Sequence, residues 1–134
     1  MKIAIVNGPN LNLLGQREPD DYGSVSFDDY FSDLSEDFNG ILVSFQSNTE
    51  GQIIDFLQQF DGDGIILNAG GYTHTSVAIR DCIASIKVPV VEVHISNLSK
   101  RESFRHESLI TPVCVGLVMG FGMQSYRIAL RYFD

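Results

Sequence analysis

The chain is poor in the residues that mark several protein classes. Its 134 residues hold two cysteines, Cys82 and Cys114, 32 positions apart. They make neither a disulfide framework nor a CxxC pair, so a reduced, cytoplasmic setting is expected. No apolar run approaches the roughly 20 residues of a membrane span. The apolar start Met1–Val6 meets Asn7-Gly8-Pro9 too soon for a signal-peptide core. Basic residues are scarce: nine Lys+Arg against 17 Asp+Glu leave a net charge of −8. That balance argues against nucleic acid, whose binders carry a basic face. A GxxxxGK[ST] phosphate loop, a GxSxG elbow and an HExxH motif are all missing. Isolated histidines without paired cysteines argue against a metal site.

What is present points to a globular enzyme or binding domain. Apolar residues make up 44% and charged residues 19%, a composition that folds around a core. The length suits one domain, residues 1–134. The charge is uneven. Residues 1–67 hold twelve acids and two bases, net −10; residues 68–134 hold five acids and seven bases, net +2. Four of the nine bases are Arg17, Lys100, Arg101 and Arg105. If these converge, an acidic protein can still hold an anionic ligand.

Hydrophobic periodicity predicts alternating strands and helices. Lys2–Val6 is β-branched and apolar, hence strand one, and residues 7–25 form a long loop of the kind that usually carries function. Ser26 with an acid three residues on caps helix one, where Phe27, Tyr30, Phe31, Leu34 and Phe38 recur at helical spacing until Asn39-Gly40. Ile41–Phe45 is strand two. Thr49 can cap helix two, with Ile53, Ile54, Leu57 and Phe60 on one face. Ile65–Leu67 is strand three, Thr75 or Ser76 opens helix three, and Val88–Val93 is strand four. Residues 94–108 read as a loop with one helical turn, Pro112–Met119 as strand five, and Met123–Tyr132 as the last helix. Strands that are apolar without alternation are expected under helices on both faces. The predicted fold is an α/β flavodoxin-like, five-stranded parallel sheet ordered 2-1-3-4-5.

Ligands of such sheets bind at the carboxyl ends of the strands. Strand one leads to Asn7, Asn10, Asn12, Arg17 and Tyr22; strand three to Asn68, Tyr72 and His74; strand four to His94, Ser96, Asn97, Arg101 and Arg105. Each residue has a plain alternative: Asn7-Gly8-Pro9-Asn10 as a turn, Arg17 beside Glu18 as a solvated pair, Tyr22 as loop packing, His74 as a helix-entry residue, Arg80 and Asp81 as a surface pair. His94 is harder to dismiss, since it follows a buried run directly. Gly116, Gly120 and Gly122 precede a helix, but a dinucleotide site would need a further strand and an acid, so they read as a tight turn. A tyrosine and a histidine with Arg and Asn suit proton transfer beside a carbonyl. A guanidinium favours the phenolate that such a base needs, histidine can protonate a leaving hydroxyl, and amides can stabilise an enolate. A binding module for a small anion or nucleotide, using the same rim, is the alternative; it needs the arginines but not a matched base and acid.

The residues also resemble a known family. Asn7-Gly8-Pro9-Asn10-Leu11-Asn12-Leu13-Leu14-Gly15, Arg17-Glu18-Pro19 and Tyr22-Gly23 are similar to the N-terminal signature of type II 3-dehydroquinate dehydratases. Gln46-Ser47-Asn48, Glu50-Gly51, Asn68-Ala69-Gly70, Thr73-His74-Thr75-Ser76 and Ile79-Arg80-Asp81 continue the match. So do Glu92-Val93-His94-Ile95-Ser96-Asn97, Arg101-Glu102 and Phe104-Arg105-His106. The motifs run in order through the chain. The resemblance implies a hydro-lyase of the shikimate pathway, leading to chorismate and aromatic amino acids, or of quinate breakdown. It would turn 3-dehydroquinate into 3-dehydroshikimate by anti elimination through an enolate, with no metal or cofactor. It implies Tyr22 as base, His94 as acid, Arg17 to lower the phenol pKa, Asn10 to position a water and Glu92 to orient His94. It further implies Asn68, His74 and Asp81 at substrate hydroxyls, Ile95 and Ser96 at the carboxylate, Arg105 at the ring and Arg101 in a lid. A homo-oligomer, a dodecamer of trimers with Asp81 reaching a neighbour's site, is implied as well. Thr49 and Leu98-Ser99-Lys100 depart from the family pattern without touching the acid or base.

Overall fold

The computed structural model describes residues 1–15 and 25–134. Five strands, β1 (Lys2–Asn7), β2 (Ile41–Gln46), β3 (Gly64–Asn68), β4 (Val90–His94) and β5 (Gly116–Met119), form a parallel sheet in the order β2-β1-β3-β4-β5. Four α-helices accompany them: α1 (Phe27–Asp37), α2 (Glu50–Gln59), α3 (Val77–Ser85) and α4 (Gln124–Leu130). This is the predicted architecture.

Strand side chains alternate between the two faces, and both faces are apolar. Ile3, Ile5, Ile66, Val91 and Val93 pack with Leu34 of α1 and with Tyr126, Ala129 and Leu130 of α4. Ala4, Val6, Ile65, Leu67 and Val90 pack with Ile53 and Leu57 of α2 and with Ile79, Cys82 and Ile83 of α3. The central strands are therefore buried almost throughout, whereas the edge strands β2 and β5 are partly exposed.

Several expected boundaries shift. Strand five begins at Gly116 and not at Pro112, because Thr111–Val113 forms a 3-10 turn with Pro112 in its first positions. Proline has no N–H for a ladder but suits the start of a helical turn. Residues 94–108 hold two 3-10 turns, Leu98–Lys100 and Ser103–Arg105. The last helix ends at Leu130 and tightens into a 3-10 turn, Arg131–Phe133. Ser26 caps α1 by accepting from the Asp29 N–H at 3.2 Å, and Ser76 caps α3 through the Ile79 N–H at 2.9 Å. Thr49 stands at the start of α2 without a side-chain cap bond.

The strand register aligns polar groups where the site forms. Asn7 pairs with Gln46 on one side and with Asn68 on the other, which puts three amides in a row at the carboxyl edge. Just beyond, the Gly8 N–H donates to the Asn68 carbonyl at 2.7 Å. A Cβ at Gly8 would lie 2.5 Å from the Ala69 carbonyl oxygen, so only glycine lets the two strand ends approach this closely.

Candidate active site

A cavity of about 160 Å³ opens at the carboxyl ends of β1, β3 and β4. Asn10, Asn68, His74, His94, Ile95, Ser96, Arg101 and Arg105 line it, joined by Leu13, Leu14, Leu98 and the backbone of Gly70 and Gly71. The fold thus gathers eight of the expected site residues, from three separate stretches of chain. Arg17 and Tyr22 lie outside the described residues. Asp81 sits exposed on α3 and does not line this cavity. Arg80, its neighbour, donates to the Leu109 carbonyl at 2.7 Å.

His94 ends β4 and is 4% exposed. Glu92, two residues earlier, shares its face of the strand and is fully buried. Glu92 Oε2 lies 2.5 Å from His94 Nε2 and accepts from Ser108 Oγ at 2.9 Å, while Glu92 Oε1 accepts from Thr111 Oγ1. Burial pushes the Glu92 carboxyl pKa up, but the hydrogen bonds from His94, Thr111 and Ser108, with the imidazole charge, outweigh it and hold it below its ordinary value. The group is therefore a carboxylate, and His94 donates to it through Nε2–H. Nδ1 is then the imidazole nitrogen left for proton exchange. The same field acts on Cys114: burial and the Glu92 charge push its thiol up to about 12, so it stays neutral.

The other polar groups are held as firmly. His74 Nδ1 donates to the Glu107 carbonyl at 2.7 Å, which fixes its tautomer and leaves Nε2 available. Asn68 Nδ2 donates to Tyr126 Oη at 3.0 Å and Asn68 Oδ1 accepts from the Gly70 N–H at 3.2 Å. Tyr126 Oη in turn donates to Asn7 Oδ1 at 2.7 Å. Burial raises the Tyr126 phenol pKa against the pull of both amides, so it remains a neutral donor. Asn10 has φ +71°, a left-handed turn that asparagine tolerates, and its N–H donates to Asn48 Oδ1 at 3.0 Å. Arg101 reaches Ser96 Oγ at 3.5 Å, and Glu102 pairs with both Arg101 (3.6 Å) and Arg105 (3.2 Å). After β5, the Gly120 and Gly122 N–H groups bond the His94 and Ile95 carbonyls, so the expected tight turn braces the His94 backbone.

Sequence reasoning missed Ser108, Thr111 and Tyr126. Nothing local marks them, since each acts through a residue at least 16 positions away. Among the described residues no cluster of His, Cys, Asp and Glu is arranged to hold a metal ion, and no helix is long and apolar enough to cross a membrane.

An open parallel α/β sheet, with a buried His–carboxylate pair and two arginines at one polar cleft beyond its carboxyl edge, is the build of a small-molecule α/β enzyme. The family model described as Dehydroquinase class II matches residues 1–134. A 3-dehydroquinate dehydratase of Exiguobacterium sp. is 56% identical over 98% of this chain and 92% of its own length. The crystal structure of a type II dehydroquinase from Butyrivibrio crossotus superposes with a TM-score of 0.93 at 45% identity, covering 98% of this chain and 96% of that one. That of a type II dehydroquinase from Propionibacterium acnes gives 0.94 at 33% identity, over 98% and 94%. The chain belongs to the class II dehydroquinase family and is a hydro-lyase. This decides for an enzyme over a binding module.

Proposed function

We propose that the chain, acting as a single catalytic domain, reversibly dehydrates 3-dehydroquinate to 3-dehydroshikimate in the shikimate pathway. The observation that carries this reading is the Glu92-backed His94 in a cleft with Asn10, Asn68, His74, Arg101 and Arg105, in a chain with relatives named for this reaction. Tyr22 takes the proton α to the ketone, and Arg17 keeps its phenol ionised by favouring the charged form. The C–H electrons move into an enolate, stabilised by a water that Asn10 positions. As the enolate collapses, the C–O bond breaks and His94 gives its proton to the departing hydroxyl, which leaves as water. Return of the Tyr22 proton to solvent and of a proton to His94 closes the cycle. No metal or cofactor takes part.

The Ile95 and Ser96 backbone holds the substrate carboxylate, Arg105 the ring substituents, and Asn68 and His74 the hydroxyls, with Arg101 in the lid. Asp81, exposed on α3, serves a neighbouring subunit's site in a dodecamer built from trimers. Exposed Val115, Leu117 and Phe121 along the β5 edge support burial of this edge between subunits. The low cysteine count and acidic charge suit the cytoplasm. Appearance of the product's enone absorbance after adding 3-dehydroquinate tests the reaction. Tyr22→Phe and Arg17→Ala should each lose most turnover in a folded protein; a Tyr22→Phe variant with near-normal rate removes the assigned base.

A further inference from the structure

Among the described residues, every hydrogen bond to the Glu92 carboxylate comes from a neutral hydroxyl or from His94. Its ion-pair partner among the described residues is His94 alone. Ser108 Oγ also accepts from the backbone N–H groups of Ile110 (3.3 Å) and Thr111 (3.1 Å). A hydroxyl has two acceptor positions and one proton. With both acceptor positions engaged, the Ser108 proton is directed onto Glu92 Oε2. Thr111, fixed in a turn whose next residue is Pro112, directs its own proton onto Oε1. Both oxygens of the carboxylate are thus anchored, and the anchors lie on the segment between β4 and β5, outside the cleft lining.

We infer that Ser108 and Thr111 are positioning residues for His94: acting through Glu92, they fix the imidazole's orientation and keep Nε2–H on the carboxylate, so that Nδ1 faces the cleft and is the atom that carries and gives up the acid's proton. The chemistry of the donors matters. A lysine or arginine at either position would spend the carboxylate's charge on a permanent cation and weaken its hold on the imidazolium. Hydroxyls stabilise the anion while leaving its charge to His94. The inference about turnover rests on His94 as the acid; the inference about its tautomer does not.

The test uses Thr111→Val, Ser108→Ala and Thr111→Ser in the whole chain. Losing one hydrogen bond to a charged group corresponds to roughly a tenfold to hundredfold effect. Thr111→Val and Ser108→Ala should lower kcat by that order and leave KM within about twofold, and Thr111→Ser, which keeps the donor, should recover most of the loss. In a Glu92→Ala background, adding Thr111→Val should change kcat by less than about twofold, since the route through Glu92 is already gone. An undiminished Thr111→Val loss in that background overturns the inference and assigns Thr111 to holding the turn. Imidazole ¹⁵N spectra, with only three histidines to assign, should show His94 as Nε2–H in the parent and as a tautomer mixture in Thr111→Val and Ser108→Ala. Retention of a pure Nε2–H form in both variants also overturns it. If His94→Ala turns over normally while the tautomer mixes as expected, the acid assignment fails and the positioning role stands.

Discussion

Removing one oxygen atom, in Tyr126→Phe, isolates the link between α4 and the cleft. The Tyr126 ring is fully buried and packs on Phe27 with centroids 5.3 Å apart; phenylalanine keeps that packing. What disappears is the hydroxyl that donates to Asn7 Oδ1 and accepts from Asn68 Nδ2. Asn7 and Asn68 are 1% and 3% exposed, so water cannot readily replace it. A buried polar group left unpaired costs about 1–3 kcal/mol, and two such groups, one still anchored through the Gly70 N–H, together cost about 2–4 kcal/mol. With a urea m-value of about 2 kcal/mol/M, the middle of the usual range, the unfolding midpoint should fall by about 1–2 M at unchanged m. Parent and variant are compared at one protomer concentration, because assembly contributes to stability. The freed Asn68 amide should also lower kcat/KM in the enone assay. A midpoint that stays in place, at unchanged m, would refute the reasoning: the two asparagines would then owe nothing to the phenol.

Alkaline pH should reveal the half-buried Cys114 thiol. The Cys114 pKa is near 12 when folded and about 9 when unfolded, so the native state keeps a proton that the unfolded state releases. Its contribution is complete below pH 9 and is lost by up to about 1.4 kcal/mol per pH unit as pH rises toward 12; urea midpoints from pH 8 to 10.5 should therefore fall less steeply for Cys114→Ser, and identical slopes would exclude the effect. Gly8→Ala should destabilise by about 1–3 kcal/mol or more, since its Cβ meets the Ala69 backbone, and should lower kcat/KM as the β1 and β3 ends part; an unchanged melt would contradict the close approach. Ser26→Ala removes the cap that binds the Asp29 N–H and should cost about 1 kcal/mol by denaturant titration, with activity affected little.

The sheet was legible because its strands are bare apolar runs separated by turn residues and helical patterns. That signal needs no long-range information. The carboxyl-edge rule then placed Asn68, His74 and His94 at one rim before any distance was known. The end of the chain was harder to read. Pro112–Cys114 is apolar and β-branched enough to pass for strand, but proline at the head of a 3-10 turn and the hydroxyls of Ser108 and Thr111 turn the segment toward Glu92. Thr49 shows the reverse: it occupies the helix-start position, while its own N–H is taken by Ser47 Oγ at 2.9 Å, a contact that spacing does not reveal. Asp81 matches a motif yet lies on the exposed side of α3, away from the cavity lining.

The two faces of the sheet divide the work of aiming the site. On the α2/α3 side, the even-numbered positions of β4 carry Glu92 and His94, and the 108–111 segment folds over them to direct two hydroxyl protons onto the carboxylate. On the α1/α4 side, Tyr126 reaches the ends of β1 and β3 and fixes the amides of Asn7 and Asn68. Each cleft group so treated has its inner atoms committed to the scaffold, which leaves a defined outer atom: Nδ1 of His94, Nε2 of His74. A 134-residue chain has little interior to spare, and placing the wholly buried Glu92 there is tolerable only because both its oxygens are paired. The stability of the core and the geometry of His94 therefore rest on the same kind of buried hydrogen bond. Substitutions at Tyr126, Ser108 or Thr111, none of which lines the cleft, should accordingly change stability and turnover together. Substitutions at Arg101 or Arg105, which do line it, should change substrate affinity with little effect on the fold.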